Sequence, residues 1–277
     1  MQGEILIIGA RGKTGSRLAV HLAGMGAPTR RAARTADRPG EVSFDWARPE
    51  TFGTAFEGIH AAYLVAPTDR ADHAEVMVPA IEQALKLGVR RFVLLSASSL
   101  EAGGPMMGAV HSVLREVAPE WCVLRPTWFM QNFSEQQHLP TIRDENAIYT
   151  AAGRGRVPFI DADDIAAAAA GALTAEYAPN TDVILTGPEP LSYDDVAERL
   201  SSRLVRTIHH VGMSYEDFMA RLMGNGFDKV YAKALADMDE AISRGSEDRV
   251  TDGVQRLAGR SPRDFDAFVA ENEAVWR

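Results

Sequence analysis

Gly9, Gly12 and Gly15 recur at three-residue spacing directly after an apolar run, Glu4–Ile8, and lead into Thr14–Met25, where apolar residues fall at helical spacing. No other feature restricts the fold as tightly. A strand that turns into a helix through glycines brings backbone N–H groups and the positive end of a helix dipole to one spot. The missing Cβ atoms let a pyrophosphate approach that backbone closely. The glycine spacing by itself is common. At residue 9 of a chain that continues in strand–helix alternation, it predicts the first βαβ unit of a dinucleotide-binding domain.

The alternation is present. Short runs at Thr29–Ala33 and Glu41–Phe44 are followed by a strand at Ile59–Val65 and an amphipathic helix at Glu75–Leu87, closed by Gly88. A strand at Arg91–Leu95, a helix at Val110–Val117 and a strand at Trp121–Leu124, stopped by Pro126, complete the series. Crossovers of this length imply a parallel sheet covered on both faces. Right-handed crossovers make it a Rossmann-like, doubly wound α/β fold. Beyond Pro126, Ala147–Thr150, Val157–Ile160 and Val183–Leu185 read as strands, and Asp164–Thr174 and Tyr193–Leu204 as helices. From Ser214 onward the chain is mostly helical, with breaks at Gly224-Asn225-Gly226, at Gly245 and at Gly259-Arg260-Ser261-Pro262. The expected organisation is a dinucleotide-binding domain over residues 1–150, with 157–190 returning to it, and a smaller helical region over 191–277 on the substrate side.

Composition narrows the partners. Of the 277 residues, 46% are hydrophobic and 24% charged, enough for a sizeable core. A net charge of -9 argues against a nucleic-acid surface, which needs clustered positive charge. One cysteine, Cys122, leaves no disulfide framework and no multi-cysteine metal site. The opening residues lack a basic leader, and the alanine-rich run Ile165–Leu173 is too short to span a bilayer. The expectation is a cytoplasmic monomer or homodimer acting on a small molecule, with no membrane or nucleic-acid partner and no metal.

The residues after the second strand point to a coenzyme. NAD-preferring domains place a carboxylate there for the ribose 2′-hydroxyl. Here Thr29–Thr35 contains Arg30, Arg31 and Arg34, and no carboxylate precedes Asp37. Guanidinium forks match phosphate oxygens, so the coenzyme is expected to be NADPH/NADP. Arg34 is the first candidate for the 2′-phosphate, followed by Arg11 and then Arg30 or Arg31. The loop residues Gly9, Arg11, Gly12, Lys13, Thr14 and Gly15 complete the phosphate cradle.

IIGARGKTG at 7–15, FVLLSAS at 92–98, VLRPTWFMQNF at 123–133 and FIDADDIA at 159–166 resemble the NmrA-like group of atypical, extended-type short-chain dehydrogenases. Within it the likeness is to the ergot-alkaloid-pathway reductases, the agroclavine and festuclavine synthases. The resemblance implies that Val65, Ala66 and Pro67 line the nicotinamide side and that Asp45 and Trp46 sit by the adenine. It implies that Trp128, Phe129 and Asn132 border the substrate, and it puts Ser96 at the family's serine position as a catalytic candidate. Independently, Pro126 ends a strand at the carboxyl edge of the sheet, where ligands bind in open α/β folds.

Typical short-chain dehydrogenases use Tyr-x-x-x-Lys, whose lysine tunes the phenol for proton transfer. The residues four beyond Tyr63, Tyr149, Tyr177, Tyr193, Tyr215 and Tyr231 are Pro67, Gly153, Thr181, Ala197, Met219 and Leu235, so the motif is absent. At the aligned positions stand Gly104 and Gly108. A carbonyl reductase needs an acid for the developing alkoxide. A protonated imine is already electrophilic, and hydride delivery leaves a neutral amine, so positioning does most of the work. The expected function is therefore an NADPH-dependent imine reductase, in keeping with what the resemblance implies. The alternatives are a non-catalytic NADP(H)-binding redox sensor of NmrA type and an NADPH quinone reductase.

Other features read as structural. His111-x-x-x-Arg115 lies on a helix three positions past Gly108. His209 and His210 are adjacent on a strand and point to opposite faces. Asp161, Asp163 and Asp164 suit a helix start. Cys122 reads as a small buried hydrophobe, and Asp237, Asp239 and Glu240 as a solvated helical face. Tyr215 is a candidate pocket wall or proton donor on the substrate side.

Overall fold

The computed structural model describes residues 3–68 and 70–277. Its strands are β1 (Glu4–Ile8), β2 (Thr29–Ala33), β3 (Glu41–Ser43), β4 (Ile59–Val65), β5 (Arg91–Leu95), β6 (Glu120–Pro126), β7 (Ala147–Thr150), β8 (Arg156–Val157), β9 (Thr181–Leu185), β10 (Leu191–Ser192) and β11 (His209–Gly212). Its helices are α1 (Lys13–Gly24), α2 (Phe52–Phe56), α3 (His73–Lys86), α4 (Met107–Val117), α5 (Gln131–Ser134), α6 (Leu139–Asp144), α7 (Ala162–Thr174), α8 (Tyr193–Leu204), α9 (Tyr215–Gly224), α10 (Lys229–Ser243), α11 (Gly253–Ala258) and α12 (Phe265–Asn272).

Seven strands form one parallel sheet in the order β3-β2-β1-β4-β5-β6-β9, the doubly wound α/β fold expected from the sequence. The strand order reverses between β1 and β4, which opens a crevice at their carboxyl ends. Leu6 and Ile8, with Ala62, Leu64, Phe92, Leu94 and Val123, pack against Phe52, Phe56, Met77, Ile81, Val110 and Leu114 from α2, α3 and α4. The intervening Ile5, Ile7, Tyr63, Val93, Cys122 and Leu124 are equally buried. The pleat turns them to the opposite face, where α1 and α7 pack together. Burial on both faces is why these strands read as continuous apolar runs. Burial also pushes the Cys122 thiol up to about 12, which makes it unreactive.

The described residues divide into two compact units, one of those up to 126 with 162–185 and 251–261, the other of 127–161, 186–250 and 262–277. The first unit's N-terminal stretch ends at Pro126, where β6 ends, and 162–185 return to it. Residues 251–261 belong with the sheet because α11 lies against α7 at backbone distance. A Cβ on Gly171 would come within 1.8 Å of the Leu257 carbonyl oxygen. The alanine-rich run that forms α7 is a buried packing surface, and no described helix is long and apolar enough to cross a membrane.

The second unit holds two small sheets, β7–β11 parallel and β8–β10 antiparallel. One aromatic cluster gathers Phe133, Phe159, Tyr193, Phe265, Phe268 and Trp276, and the Trp276 indole donates to the Phe133 carbonyl at 2.7 Å. A second cluster holds Phe218 and Leu222 of α9 against Ala232, Leu235 and Ala236 of α10. In β11, His209 is exposed, while His210 turns inward between the Thr150 hydroxyl at 2.8 Å and Asp194 at 3.0 Å. The two histidines share no ligand position.

Candidate active site

The crevice at the strand-order reversal is a cleft of about 690 Å³. Gly9, Arg11, Gly12, Arg34, Asp45, Trp46, Val65, Ala66 and Pro67, nine of the candidate cofactor residues, line it. Its floor depends on Gly9, which has φ +75°, and a Cβ there would meet the Val65 side chain at 3.1 Å. A side chain at residue 9 would therefore strain the turn and crowd the end of β4. Beyond the loop, the helical ladder of α1 starts with the Ser16 N–H donating to the Gly12 carbonyl at 3.0 Å. The N–H groups of the preceding first turn point out of the helix end.

Lys13, Thr14 and Gly15 form the first turn of α1 rather than the cleft wall. Thr14 is buried, and its hydroxyl accepts from the Tyr63 phenol at 3.0 Å. Gly15 is a packing residue: a Cβ there would lie 2.2 Å from the Gly9 carbonyl oxygen. Trp46 is a buried wall, its indole donating to the Val65 carbonyl at 3.0 Å and its ring edge-on to Phe44. Asp45 braces the turn behind it, taking the Ala47 N–H at 2.9 Å.

The arginines separate into distinct roles. Arg30 is committed to Glu4 at 2.5 Å and to the carbonyls of Thr54, Ala55 and Glu57. Arg31 donates to the Pro39 carbonyl at 2.6 Å. Neither lines the cleft. Arg34 lines it and, among the described residues, its guanidinium has no hydrogen bond or ion pair. Arg11 also lines it but is engaged: Nε donates to Glu41 Oε1 at 3.0 Å, and Nη2 to Glu41 Oε2 at 2.5 Å, to the Thr35 carbonyl at 3.1 Å and to Asp37. The hydrogen bonds from Arg11 hold the Glu41 carboxyl down at about 2. Glu41 escaped the sequence reading because a glutamate opening a three-residue strand carries no periodic signal.

Ser96 follows directly on β5, whose last residue Leu95 pairs with Val65 at the cleft. It is 6% exposed, and its hydroxyl has no hydrogen-bond partner among the described residues. A buried orphan hydroxyl is rare enough to mark a place where a bound molecule or water completes the set. Downstream, the segment 101–108 folds back on itself, with the Gly103 N–H donating to the Gly108 carbonyl at 2.9 Å and the Gly104 N–H to the Glu101 carbonyl at 3.0 Å. A Cβ would meet the Glu101 carbonyl oxygen at 3.0 Å from residue 104 and at 2.4 Å from residue 108. The Glu101 side chain is itself bound to Arg125 at 2.5 Å. A side chain at 108 would force this loop to shift, whereas one at 104 would only crowd it. His111 on α4 is buried, both its ring nitrogens lack a partner among the described residues, and burial lowers its pKa.

In the second unit, Trp128 and Phe129 are half-buried, whereas Met130 is core. Phe129 is fixed by a parallel bridge to Ile160. Trp128 packs against both hydrophobic clusters, and Tyr215 against the α9–α10 cluster. Asn132 is half-buried, and its side-chain amide has no partner among the described residues. The Tyr215 hydroxyl donates to Asp237 at 2.8 Å, and Lys233 holds the same carboxylate at 2.7 Å. That hydrogen bond raises the Tyr215 pKa and makes the phenol a poor acid. Asp239 departs most from expectation: it is buried rather than solvated, accepts the Ala151 N–H at 2.8 Å, and burial pushes it up to about 7. The carboxylates of the 161–164 segment are held by protein partners: Asp161 by Gln131 at 2.9 Å, Asp163 by His21 at 2.8 Å and Asp164 by Arg260 at 2.6 Å.

The chain is similar to known oxidoreductases in sequence and in fold. The chain is 42% identical over 278 residues to the uncharacterized oxidoreductase YesF of Bacillus subtilis (strain 168), covering 99% of this chain and 97% of that one. It is 39% identical over 285 residues to agroclavine dehydrogenase of Claviceps fusiformis, covering 98% of each. Among solved structures, an NADPH-dependent quinone oxidoreductase of Escherichia coli complexed with NADPH superposes with a TM-score of 0.84 at 20% identity, covering 96% of this chain and 99% of that one. No protein-family model matches the chain.

Proposed function

The chain belongs to the NmrA-like, extended-type short-chain dehydrogenase/reductase family of the agroclavine and festuclavine dehydrogenases, and we propose that within it this protein is an imine reductase. As a member it is an NAD(P)H-dependent reductase. The finer reading is that NADPH is the coenzyme and that the substrate is the imine or iminium carbon of a small cyclic natural-product intermediate.

One observation carries the substrate class: no tyrosine is followed four residues on by lysine, and glycines stand at 104 and 108, where a Cβ on residue 108 would come within 2.4 Å of the Glu101 carbonyl oxygen. The phenol–lysine pair that would serve a developing alkoxide is missing from the sequence, and a protonated imine needs none. When bound, the coenzyme supplies a hydride from its nicotinamide ring. The glycine loop and α1 N-terminus suit its pyrophosphate, Arg34 suits a 2′-phosphate, and Val65, Ala66 and Pro67 give the ring an apolar wall. Ser96 would hold a water or the substrate nitrogen by one hydrogen bond, leaving orientation as the main source of rate. Trp128, Phe129 and Asn132 would present a flat apolar surface with one amide to a cyclic substrate, and Tyr215 would serve as pocket wall.

The deciding experiment is NADPH oxidation followed at 340 nm against cyclic imines, simple aldehydes and quinones, with NADPH binding titrated in parallel. Turnover on imines and not on aldehydes is expected. Turnover confined to quinones would replace the substrate class, and tight NADPH binding without any turnover would make the protein a redox sensor.

A further inference from the structure

Arg11 is held by two carboxylates of different character. Glu41 grips it through two hydrogen bonds and also takes the Arg38 N–H at 3.2 Å; its side chain is 2% exposed. Asp37 lies on the turn between β2 and β3, contacts Arg11 through Nη2 alone, and is 59% exposed. Glu41 is therefore part of the frame, fastening the glycine loop to the β2–β3 turn. Asp37 is a replaceable anion on the cleft-lining guanidinium.

We propose that Asp37 is a specificity-determining residue that competes with the adenosine 2′-phosphate for Arg11, Glu41 being the residue that positions Arg11 for both. This rests on the reading that the 690 Å³ cleft takes the adenosine half of the coenzyme. A phosphate dianion brought between Arg34 and Arg11 meets the Asp37 charge and must displace its carboxylate. An adenosine with a free 2′-hydroxyl meets no such repulsion, and Asp37 can accept a hydrogen bond from it. Charges around Arg11 therefore oppose each other: the guanidinium that attracts the phosphate is already neutralised from the turn side. The chain keeps an arginine-rich loop and yet moderates its preference for the phosphorylated coenzyme.

The test is equilibrium binding of NADPH, NADH, adenosine 2′,5′-bisphosphate and 5′-AMP to the full chain and to Asp37→Asn and Asp37→Glu. Asp37→Asn is expected to tighten NADPH and the bisphosphate about fivefold, the scale of one exposed ion pair, with NADH and 5′-AMP equal or weaker. The gain should shrink at high salt, because the competing charge is exposed. Asp37→Glu should keep the original ratio. A merely structural role for the turn would move all four ligands together and give no salt dependence. Unchanged or weaker bisphosphate binding by Asp37→Asn overturns the competition. If the unaltered chain binds neither NADPH nor the bisphosphate, the coenzyme reading itself fails.

Discussion

Gly108, near the start of α4, lies so close to Glu101 that an added Cβ would stand 2.4 Å from the Glu101 carbonyl oxygen. The position where the family's lysine would align is thus closed by main chain, which cannot swing aside as a side chain can. Gly108→Ala should cost about 2 kcal/mol through forced backbone displacement, lowering Tm by several degrees. Gly104→Tyr combined with Gly108→Lys should destabilise further without creating aldehyde reduction. Thermal unfolding and the 340 nm assay check both, and a stable double variant that reduces aldehydes would show that the loop can open to admit the pair.

Among the described residues no group engages the Arg34 guanidinium at the cleft, whereas Arg11 is shared with carboxylates. Replacing Arg34 by alanine should weaken NADPH at least tenfold, about 1.4 kcal/mol, the scale of a charge-assisted hydrogen bond. NADH should change less than threefold. Parallel titrations decide the point: equal losses for the two coenzymes would remove Arg34 from the 2′-phosphate and make it a general wall of the cleft.

What the sequence revealed follows from where burial leaves a pattern. Strands β1, β4 and β5 are covered on both faces, so their residues had to be apolar and their limits could be read directly. Strand β3 is three half-buried residues, and β11 begins with two histidines, so neither carries a periodic signature. The glycine loop was legible because its backbone demands glycine. The roles of the arginines were not, since Arg30 and Arg34 look alike until Glu4 and three carbonyls are seen around the first. Asp239 was misread for a related reason. A carboxylate among Asp237 and Glu240 resembles a solvated helix face, and only packing turns it inward.

Ser96 presents a buried hydroxyl without a partner among the described residues. Alanine at this position should leave the fold as stable or slightly more so, because an unsatisfied polar group leaves the core. Imine reduction should stay within about tenfold, about 1.4 kcal/mol of barrier. Loss of several orders of magnitude in kcat at unchanged Tm would instead give Ser96 a proton-transfer role that an iminium substrate does not require.

Asp239 sits on α10 with its carboxylate on the Ala151 N–H at 2.8 Å, and burial raises it from the ordinary 3.8 to about 7. A carboxyl raised on folding keeps a proton that the unfolded chain has already released. Its contribution to stability is full below 3.8, falls as pH climbs through the window up to about 7, and is gone above it. The span corresponds to about 4 kcal/mol at full ionisation. Asp239→Asn keeps the shape and the acceptor for Ala151 but has no charge to bury. Its Tm should match that of the unaltered chain near about pH 4 and exceed it by a margin that grows with pH and levels off above about 7. Melting curves across that range measure the margin. A constant offset at every pH would mean that Asp239 is already ionised in the fold, held by partners other than the Ala151 amide.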